Sequence, residues 1–565
     1  MAQPSLARAP TLIALVLVTL LGCGLAASTW RVFGHTWDEP EHLAAGLALL
    51  DTGHYDYDIQ HPPLGRLMLA LGPYLAGARS QGTPPPDGKP EGIKILYGSG
   101  HYDEYLTLAR AGALPFLALL IVMTYVWGRT VLGRGGALFA ALLVASAPPI
   151  LGHGALAALD VPSAATCLLA LDAIRRWLDS GRLARALWMG LTLGLAIGTK
   201  LSALPFCGLG GLVLLALHCW EGPSRAGPAE PVRRLEWVGG VLLATLAIGV
   251  VLTFAYGGRI IYLTDETHKF NQALGYLFGY APSPLHDLAY RVFAHVPVPE
   301  AFQWVLGGIQ ALQVHNDMGH LSYLFGDLEL HGWRYFYIVA LAVKTPLPLL
   351  VAGLAGLGML VARGLGTRSA APLALPKLFV AIFLFVSLFS HINIGVRHVL
   401  VLFPLLAIGA AVVATALVGR IGATASAPQR HALAAALGLA VVLELSPLAA
   451  WPDYLPWFNV LAPHPERILV DSDLDWGQDF RRLVAALHAR AVPSVALAYL
   501  GTADLPHEGL PPYRMLGPDE RTSGWIAVSE LARIHAPDRF RWLDAYAPVE
   551  RVGRTIDLYY VPPGP

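Results

Sequence analysis

Charged residues are scarce in this sequence: Asp, Glu, Lys and Arg make up 14% of its 565 residues, against 55% hydrophobic. Soluble domains carry about 25% charged residues, so a water-soluble fold is excluded for most of the chain. An excess of either sign is missing as well, because 39 Lys and Arg balance 39 Asp and Glu. Nucleic acid is therefore not an expected partner, and any electrostatic function has to come from local placement. Cysteine is rare too. Cys23, Cys167, Cys207 and Cys219 all fall inside or at the ends of apolar runs, which leaves no disulfide framework or zinc site for the C-terminal part of the chain.

What the sequence has in quantity is long apolar runs. They recur at 11–29, 106–127, 136–151, 161–177, 186–200, 202–219, 237–256, 336–361, 378–391, 398–418 and 432–450, and predict an α-helical polytopic membrane domain of about eleven spans over residues 1–450. The first run contains Leu20-Leu21-Gly22-Cys23, a loose match to a lipoprotein processing site, but it is long enough to span and many runs follow it. Basic residues occupy every second connection: Arg129 and Arg134; Arg175, Arg176, Arg182 and Arg185; Arg225, Arg233 and Arg234; Arg363, Arg368 and Lys377; Arg420 and Arg430. The positive-inside rule makes these loops cytoplasmic, with the N-terminus inside and the C-terminus outside. After Trp451 the pattern changes to a small soluble α/β domain over 451–565, with strands expected at 468–470, 495–500, 525–528 and 557–561 and a helix at 478–490. No internal repeat is visible.

The remaining connections, 30–105, 152–160, 257–335 and 391–397, hold the ionisable residues, so the chemistry is expected on the extracytoplasmic side. Amphipathic pieces at 41–50 and 64–75 read as helices along the membrane surface, and 81–90 as a flexible loop. Just past the first run, Asp38 and Glu39 are adjacent carboxylates at the membrane surface. A low-dielectric site there is expected to raise a carboxyl pKa into the range useful for a general base; a helix N-terminus is the alternative. Further on, His61-Pro62-Pro63-Leu64-Gly65-Arg66 leads into an apolar run and offers a helix start that grips phosphate, or a plain turn. Asp160 sits at the mouth of a span, where an isolated acid is costly and usually functional. Lys200, Lys344 and the stretch His391 to His398, with Arg397 inside it, fall at the same face; the lysines either act there or snorkel to headgroups.

The Asp-Glu pair, His-Pro-Pro-Leu-Gly-Arg, Asp160-Val161-Pro162 and Gly395-Val396-Arg397-His398, in this order and on one side, resemble the polyprenyl-phosphate-dependent glycosyltransferases of the GT-C superfamily. The branch that it resembles is that of the protein O-mannosyltransferases and aminoarabinose transferase, families 39 and 83 of the glycosyltransferases. The segment Asp471-Ser-Asp-Leu-Asp-Trp-Gly-Gln-Asp479 is similar to one in bacterial members, and the Trp-Trp-Asp signature of the oligosaccharyltransferase branch is absent. The resemblance implies a GT-C fold and an inner-membrane, inverting sugar transfer. The donor is then a polyprenyl-phosphate sugar and the acceptor a lipid, polysaccharide or protein. It implies Asp38 as catalytic base with Glu39 beside it, Asp160 as the second acid that places the acceptor, and His61 and Arg66 near the donor phosphate. Lys200, Arg397 and His398 are candidates for the same phosphate.

No cofactor is required by this donor. The outer acids are compatible with Mg²⁺ or Mn²⁺, yet no tight ligand cluster is evident, so no metal residue is assigned. A transporter or lipid flippase is the competing class, and a catalytically inactive sugar-binding relative a third. In the last case Asp475, Trp476 and Gln478 form a binding surface, against the plainer reading of a helix start capped by Asp. Topology gives a direct test. A reporter fused after Arg176 is expected to read cytoplasmic and one fused after Asp453 extracytoplasmic; a cytoplasmic tail would separate it from Asp38 and dismantle a shared outer site.

Overall fold

Backbone groups surrounded by lipid must pair within their own segment, and the apolar runs accordingly form helices. The computed structural model describes residues 9–84, 88–222, 230–262, 283–293, 295–424, 426–517 and 520–563. Among them, eight helices are long and apolar enough to cross a membrane, from Ala9–Ala27 to Ala427–Ala450. The bent pair Arg134–Ser146 and Pro148–Gly154 makes a ninth if taken as one span. The two other expected spans are present as helices Asp160–Ser180 and Leu183–Thr199, the first with five charged residues and the second only 17 residues long. The chain is a multi-pass membrane protein.

Proline sets the breaks. Pro148 and Pro149 supply no backbone N–H, and the helix axis turns by 60° where they begin. The run expected as one span over 336–361 is divided in the same way into Phe336–Lys344 and Leu347–Thr367 by Pro346. Such a break orphans the first N–H groups of the second helix. Glu444, from the last spanning helix, accepts from the Leu349 N–H at 2.9 Å and satisfies one of them.

The first long connection folds into three short helices, Glu39–Thr52, Pro63–Leu75 and Gly88–Gly98. They are more deeply buried than surface helices would be, because glycine lets them touch: a Cβ on Gly46 would lie 2.3 Å from the Arg66 carbonyl oxygen, and one on Gly92 1.9 Å from that of Pro40. The loop expected over 81–90 ends in the third of these helices; its residues 85–87 lie outside the described residues, as does Arg225 among the basic loop residues.

The C-terminal part holds a five-stranded sheet ordered Tyr513–Met515, Val495–Ala498, Gly524–Ser529, Ile556–Val561, Glu550–Val552. Its first three strands are parallel and its last two pairings antiparallel. Phe480, Leu483 and Leu487 of helix Phe480–Ala489 cover one face, and Phe540 and Leu543 the other. Residues 468–470 do not form the expected strand. They run into a short turn of helix, Asp471–Leu474, that begins at a positive φ of 35°.

Lys344 fastens this domain to the spanning helices. Its ammonium is fully buried over the Phe458 ring and donates to the carbonyls of Leu455 and Asp473, each at 2.7 Å. It therefore neither snorkels to headgroups nor reaches a ligand. Lys344→Met should leave both carbonyls unpaired, at about 1–3 kcal/mol each for a buried group. The expected result is a lower unfolding temperature in detergent and faster proteolysis after Trp451; unchanged behaviour in both would mean that the junction is held elsewhere.

Candidate functional site

The ends of the spanning helices, the first long connection and the C-terminal domain meet around one cavity of about 1190 Å³. One part of its lining is ionisable: Asp38, His61, Asp160, Lys200, Arg397 and His398 all reach it. Another part is apolar, made by Leu204, Pro205 and Phe206 at the start of helix Ala203–Glu221 and by Phe385 and Phe389 at the end of helix Ala370–Phe389.

Arg397 is the central cation. Its guanidinium donates to Asp38 at 2.7 Å, lies 3.8 Å from Asp160 and stacks over the Trp476 ring at 4.4 Å. Lys200 donates to the other oxygen of Asp160 at 2.6 Å. Two carboxylates and two cations so neutralise one another within the wall, the arrangement that a partly buried charge cluster needs. The local backbone explains the placement. Gly395 takes a φ of 147°, and a Cβ there would lie 2.4 Å from the Ser472 hydroxyl. That hydroxyl donates to the Ile394 carbonyl, and Asp473 accepts from the Val396 N–H at 3.0 Å. The 471–473 turn thus clamps the loop that carries Arg397.

The Asp38 carboxyl behaves opposite to expectation. Burial pushes it up, but Arg397, His42 and the hydrogen bond from Arg397 outweigh that and hold it at about 2. A low dielectric raises a carboxyl only when no cation shares the site.

Glu39 and Arg66 are not in the cavity. Glu39 is buried behind its neighbour, where both its oxygens accept from Arg110 at 2.8 Å and the N–H groups of Thr36 and Ala157 add two more bonds at 2.8 Å. Burial pushes its carboxyl up, and Arg110 more than reverses this. Arg66, also fully buried, pairs with Asp58 and donates to Tyr55 at 2.6 Å and His42 at 3.2 Å, so it holds the wall from beneath rather than meeting a phosphate. His61 does face the cavity and shares Asp58 with Arg66, at 2.7 Å from its Nδ1. His398 reaches it too, with Nδ1 3.1 Å from the Tyr337 hydroxyl.

Among the described residues no group of three or more His, Cys, Asp or Glu side chains has the placement to hold a metal ion. Asp38 and Asp160 are already met by Arg397 and Lys200, so these two acids would hold Mg²⁺ or Mn²⁺ only by displacing those cations.

The model of the dolichyl-phosphate-mannose-protein mannosyltransferase family matches residues 53–255, roughly a third of the chain. Among solved structures, the chain is similar to the Archaeoglobus fulgidus oligosaccharyltransferase tethered with an acceptor peptide containing the NVT sequon, at 13% identity and a TM-score of 0.50 over 96% of this chain and 72% of that one. The chain shares the fold of that structure. ArnT from Cupriavidus metallidurans bound to undecaprenyl phosphate aligns at 15% identity over 97% of this chain and 99% of that one, with a TM-score of 0.45. The oligosaccharyltransferase AglB from Archaeoglobus fulgidus, in complex with an inhibitory peptide and a dolichol-phosphate, aligns at 14% identity and a TM-score of 0.43 over 79% of this chain; the chain spans only 56% of that protein. No protein of curated function matches the sequence.

The cavity includes residues that the sequence did not single out for it. Asp471, Trp476, Leu500, Leu531 and His535 reach it from the C-terminal part, together with His320. The 475–478 stretch is neither an open sugar-binding surface nor a capped helix start. Asp475 accepts from the N–H groups of Leu531 and Gly477, Gln478 ties Trp476 to Leu474, and the Asp479 side chain accepts from Arg554 and Thr555 instead of capping its helix. The spacing of Asp471, Asp473, Asp475 and Asp479 was the available signal, since four acids in nine residues of a charge-poor chain each need a partner.

The Glu39–Arg110 pair predicts a structural defect. Glu39→Ala leaves a buried guanidinium unpaired, at about 3–5 kcal/mol. The variant is expected to unfold at markedly lower temperature in detergent and to express poorly, whereas Glu39→Gln, which keeps shape and some bonds, should lie between it and the native protein. Native-like unfolding of Glu39→Ala would show that the pair does not organise the loop.

Proposed function

We propose that this protein is an inverting membrane glycosyltransferase of the inner membrane. It takes one sugar from a polyprenyl-phosphate donor and transfers it to a lipid, polysaccharide or protein acceptor on the extracytoplasmic face, where the N-terminus is cytoplasmic and the C-terminal domain outside. The observation that carries this reading is the two-part cavity, with cations and carboxylates at one part and the ends of two spanning helices at another. A polyprenyl phosphate has the same division, since its chain belongs in the leaflet and its phosphate at the interface. The matched family description points to the same donor class. A transporter would need its ionisable groups near mid-depth; here they gather where helices begin and end, at Asp160, Lys200 and Arg397.

The roles follow from the charges. Lys200, Arg397, His61 and His398 line the cavity and stabilise the negative charge that grows on the leaving phosphate. As the phosphate draws Arg397, Asp38 loses the bond that holds it near 2 and gains proton affinity. The acceptor oxygen then attacks the anomeric carbon on the side opposite the phosphate. Its bond to that carbon forms, the carbon–phosphate-oxygen bond breaks with its electrons leaving on the polyprenyl phosphate, and the acceptor's proton passes to Asp38. Asp160, shared between Lys200 and Arg397, keeps both cations in place and orients the acceptor.

Asp38→Asn should abolish transfer, because the amide keeps the shape but accepts no proton at neutral pH; loss of a general base typically costs about 10²–10⁴ in rate. The assay incubates purified variant with polyprenyl-phosphate mannose and an envelope extract and follows sugar incorporation by mass spectrometry. A near-normal rate in well-folded Asp38→Asn would move the base elsewhere. If the native protein consumes no such donor from any envelope tested, the transferase reading itself falls.

A further inference from the structure

The cavity wall contributed by the C-terminal domain contains one carboxylate that the donor chemistry does not use. Six acids line the cavity, and among the described residues four have a cation: Asp38 has Arg397, Glu41 has Lys89, Asp58 has Arg66 and His61, and Asp160 has Lys200. Of the other two, Asp317 is solvent-exposed on the surface, whereas Asp471 is half-buried, with no Lys, Arg or His within 4 Å among the described residues. One oxygen of Asp471 accepts from the Ser472 N–H. The residue holds a left-handed backbone conformation, φ 35°, that a non-glycine side chain seldom takes. A residue in that conformation persists where the surroundings over-determine it. Here Ser472 and Asp473, bonded to Ile394 and Val396, lock the turn on its far side.

A carboxylate with no cation bonded to it repels a phosphate, so the donor's phosphate is not its ligand. What it does attract is a hydrogen-bond donor: the acceptor brings hydroxyl groups to this cavity, and so does the donor's sugar, a second source that donor binding distinguishes. Trp476, Leu531 and His535 line the same cavity from the same part of the chain, giving it apolar and polar surface suited to a hydroxyl-bearing ring or side chain. Burial pushes the Asp471 carboxyl up to about 6, only partly offset by Arg397 and the Ser472 N–H, so at neutral pH it is a charged acceptor of hydrogen bonds.

Resting on the transferase reading above, we propose that Asp471 is a positioning residue for the acceptor: its carboxylate binds an acceptor hydroxyl and makes the C-terminal domain part of the acceptor site. Asp471→Asn isolates the charge, because asparagine is at ease in the left-handed region and the clamp on 394–396 is untouched. Asp471→Gly removes the carboxylate and relaxes the backbone at once, so a purely conformational role would leave it fully active.

The experiment titrates a fixed amount of each purified variant, saturated with polyprenyl-phosphate mannose, with envelope extract, and separately measures binding of polyprenyl-phosphate mannose and of polyprenyl phosphate. Both variants should need about tenfold more extract for half-maximal transfer, the loss of one charge-assisted hydrogen bond. Maximal rate should stay within about threefold and affinity for both lipids unchanged, the signature of lost ground-state binding. Unchanged half-saturation in both variants overturns the proposal. A collapsed maximal rate at unchanged half-saturation does so too, by making Asp471 the base, and weakened binding of polyprenyl-phosphate mannose would overturn it by assigning Asp471 to the donor's sugar. No transfer by the native protein would instead sink the transferase reading, and this inference with it.

Discussion

The pair formed by Glu39 and Arg110 fixes everything that faces the cavity from the N-terminal side. Arg110 is the second-last residue of helix Tyr102–Ala111, within the long apolar segment Tyr102–Gly128, and is almost wholly buried. It spends its donors on Glu39 and on the carbonyls of Trp30, Phe33 and Gly34. Glu39 in turn receives Ala157, three residues before Asp160. One ion pair thereby ties the end of the first spanning helix, the loop bearing Asp38 and the approach to Asp160 to a single point. Burying such a pair gains little net stability, since desolvation consumes most of the attraction. Its return is geometric, because neither charge tolerates any other arrangement.

A second consequence concerns charge. The part of the cavity wall that holds Asp38 and Asp160 is neutralised by its own side chains, with Arg397 and Lys200 divided between them. A phosphate entering this wall does not find free cations. It has to take them from carboxylates, and each transfer leaves a carboxylate with a higher proton affinity than before. In the proposed transfer, donor binding and the readiness of Asp38 to accept a proton are coupled by the same guanidinium, with no need for a moving loop between them.

The apolar runs made the membrane class and most helices legible, because a span needs about 20 apolar residues and few other structures use that many. The residues that meet at the cavity were partly legible for a similar reason: Asp160, Lys200 and Arg397 are ionisable groups beside apolar runs, where burial is costly and a partner is implied. The identity of each partner was not. Glu39 and Arg66 carry the same charge as true wall residues, and only their distant partners, Arg110 for one and Asp58 with Tyr55 for the other, take them out of the cavity. The strands Tyr513–Met515 and Glu550–Val552 escaped notice because three-residue edge strands show almost no alternation. The depressed Asp38 carboxyl was missed because composition shows a low dielectric but not the guanidinium 359 residues away.

The C-terminal domain is not an appendage to this arrangement. The 471–479 segment bonds forward to its own sheet through Asp475 and Asp479 and backward to the membrane domain through Ser472, Asp473 and the carbonyls of Trp476 and Gln478, which accept from Trp37 and Gly34. Trp37 precedes Asp38 directly, and Val396 precedes Arg397. Both members of the central ion pair therefore hang from residues bonded to one nine-residue stretch. A membrane domain without this segment would keep its helices, whose backbone bonds are internal, but would lose the registration between the loop of Asp38 and the loop of Arg397. That explains the density of acids in the segment: each carboxylate satisfies orphaned backbone N–H groups at a junction where no regular ladder is available, and the sum of those bonds sets the distance between the two charges on which the site depends.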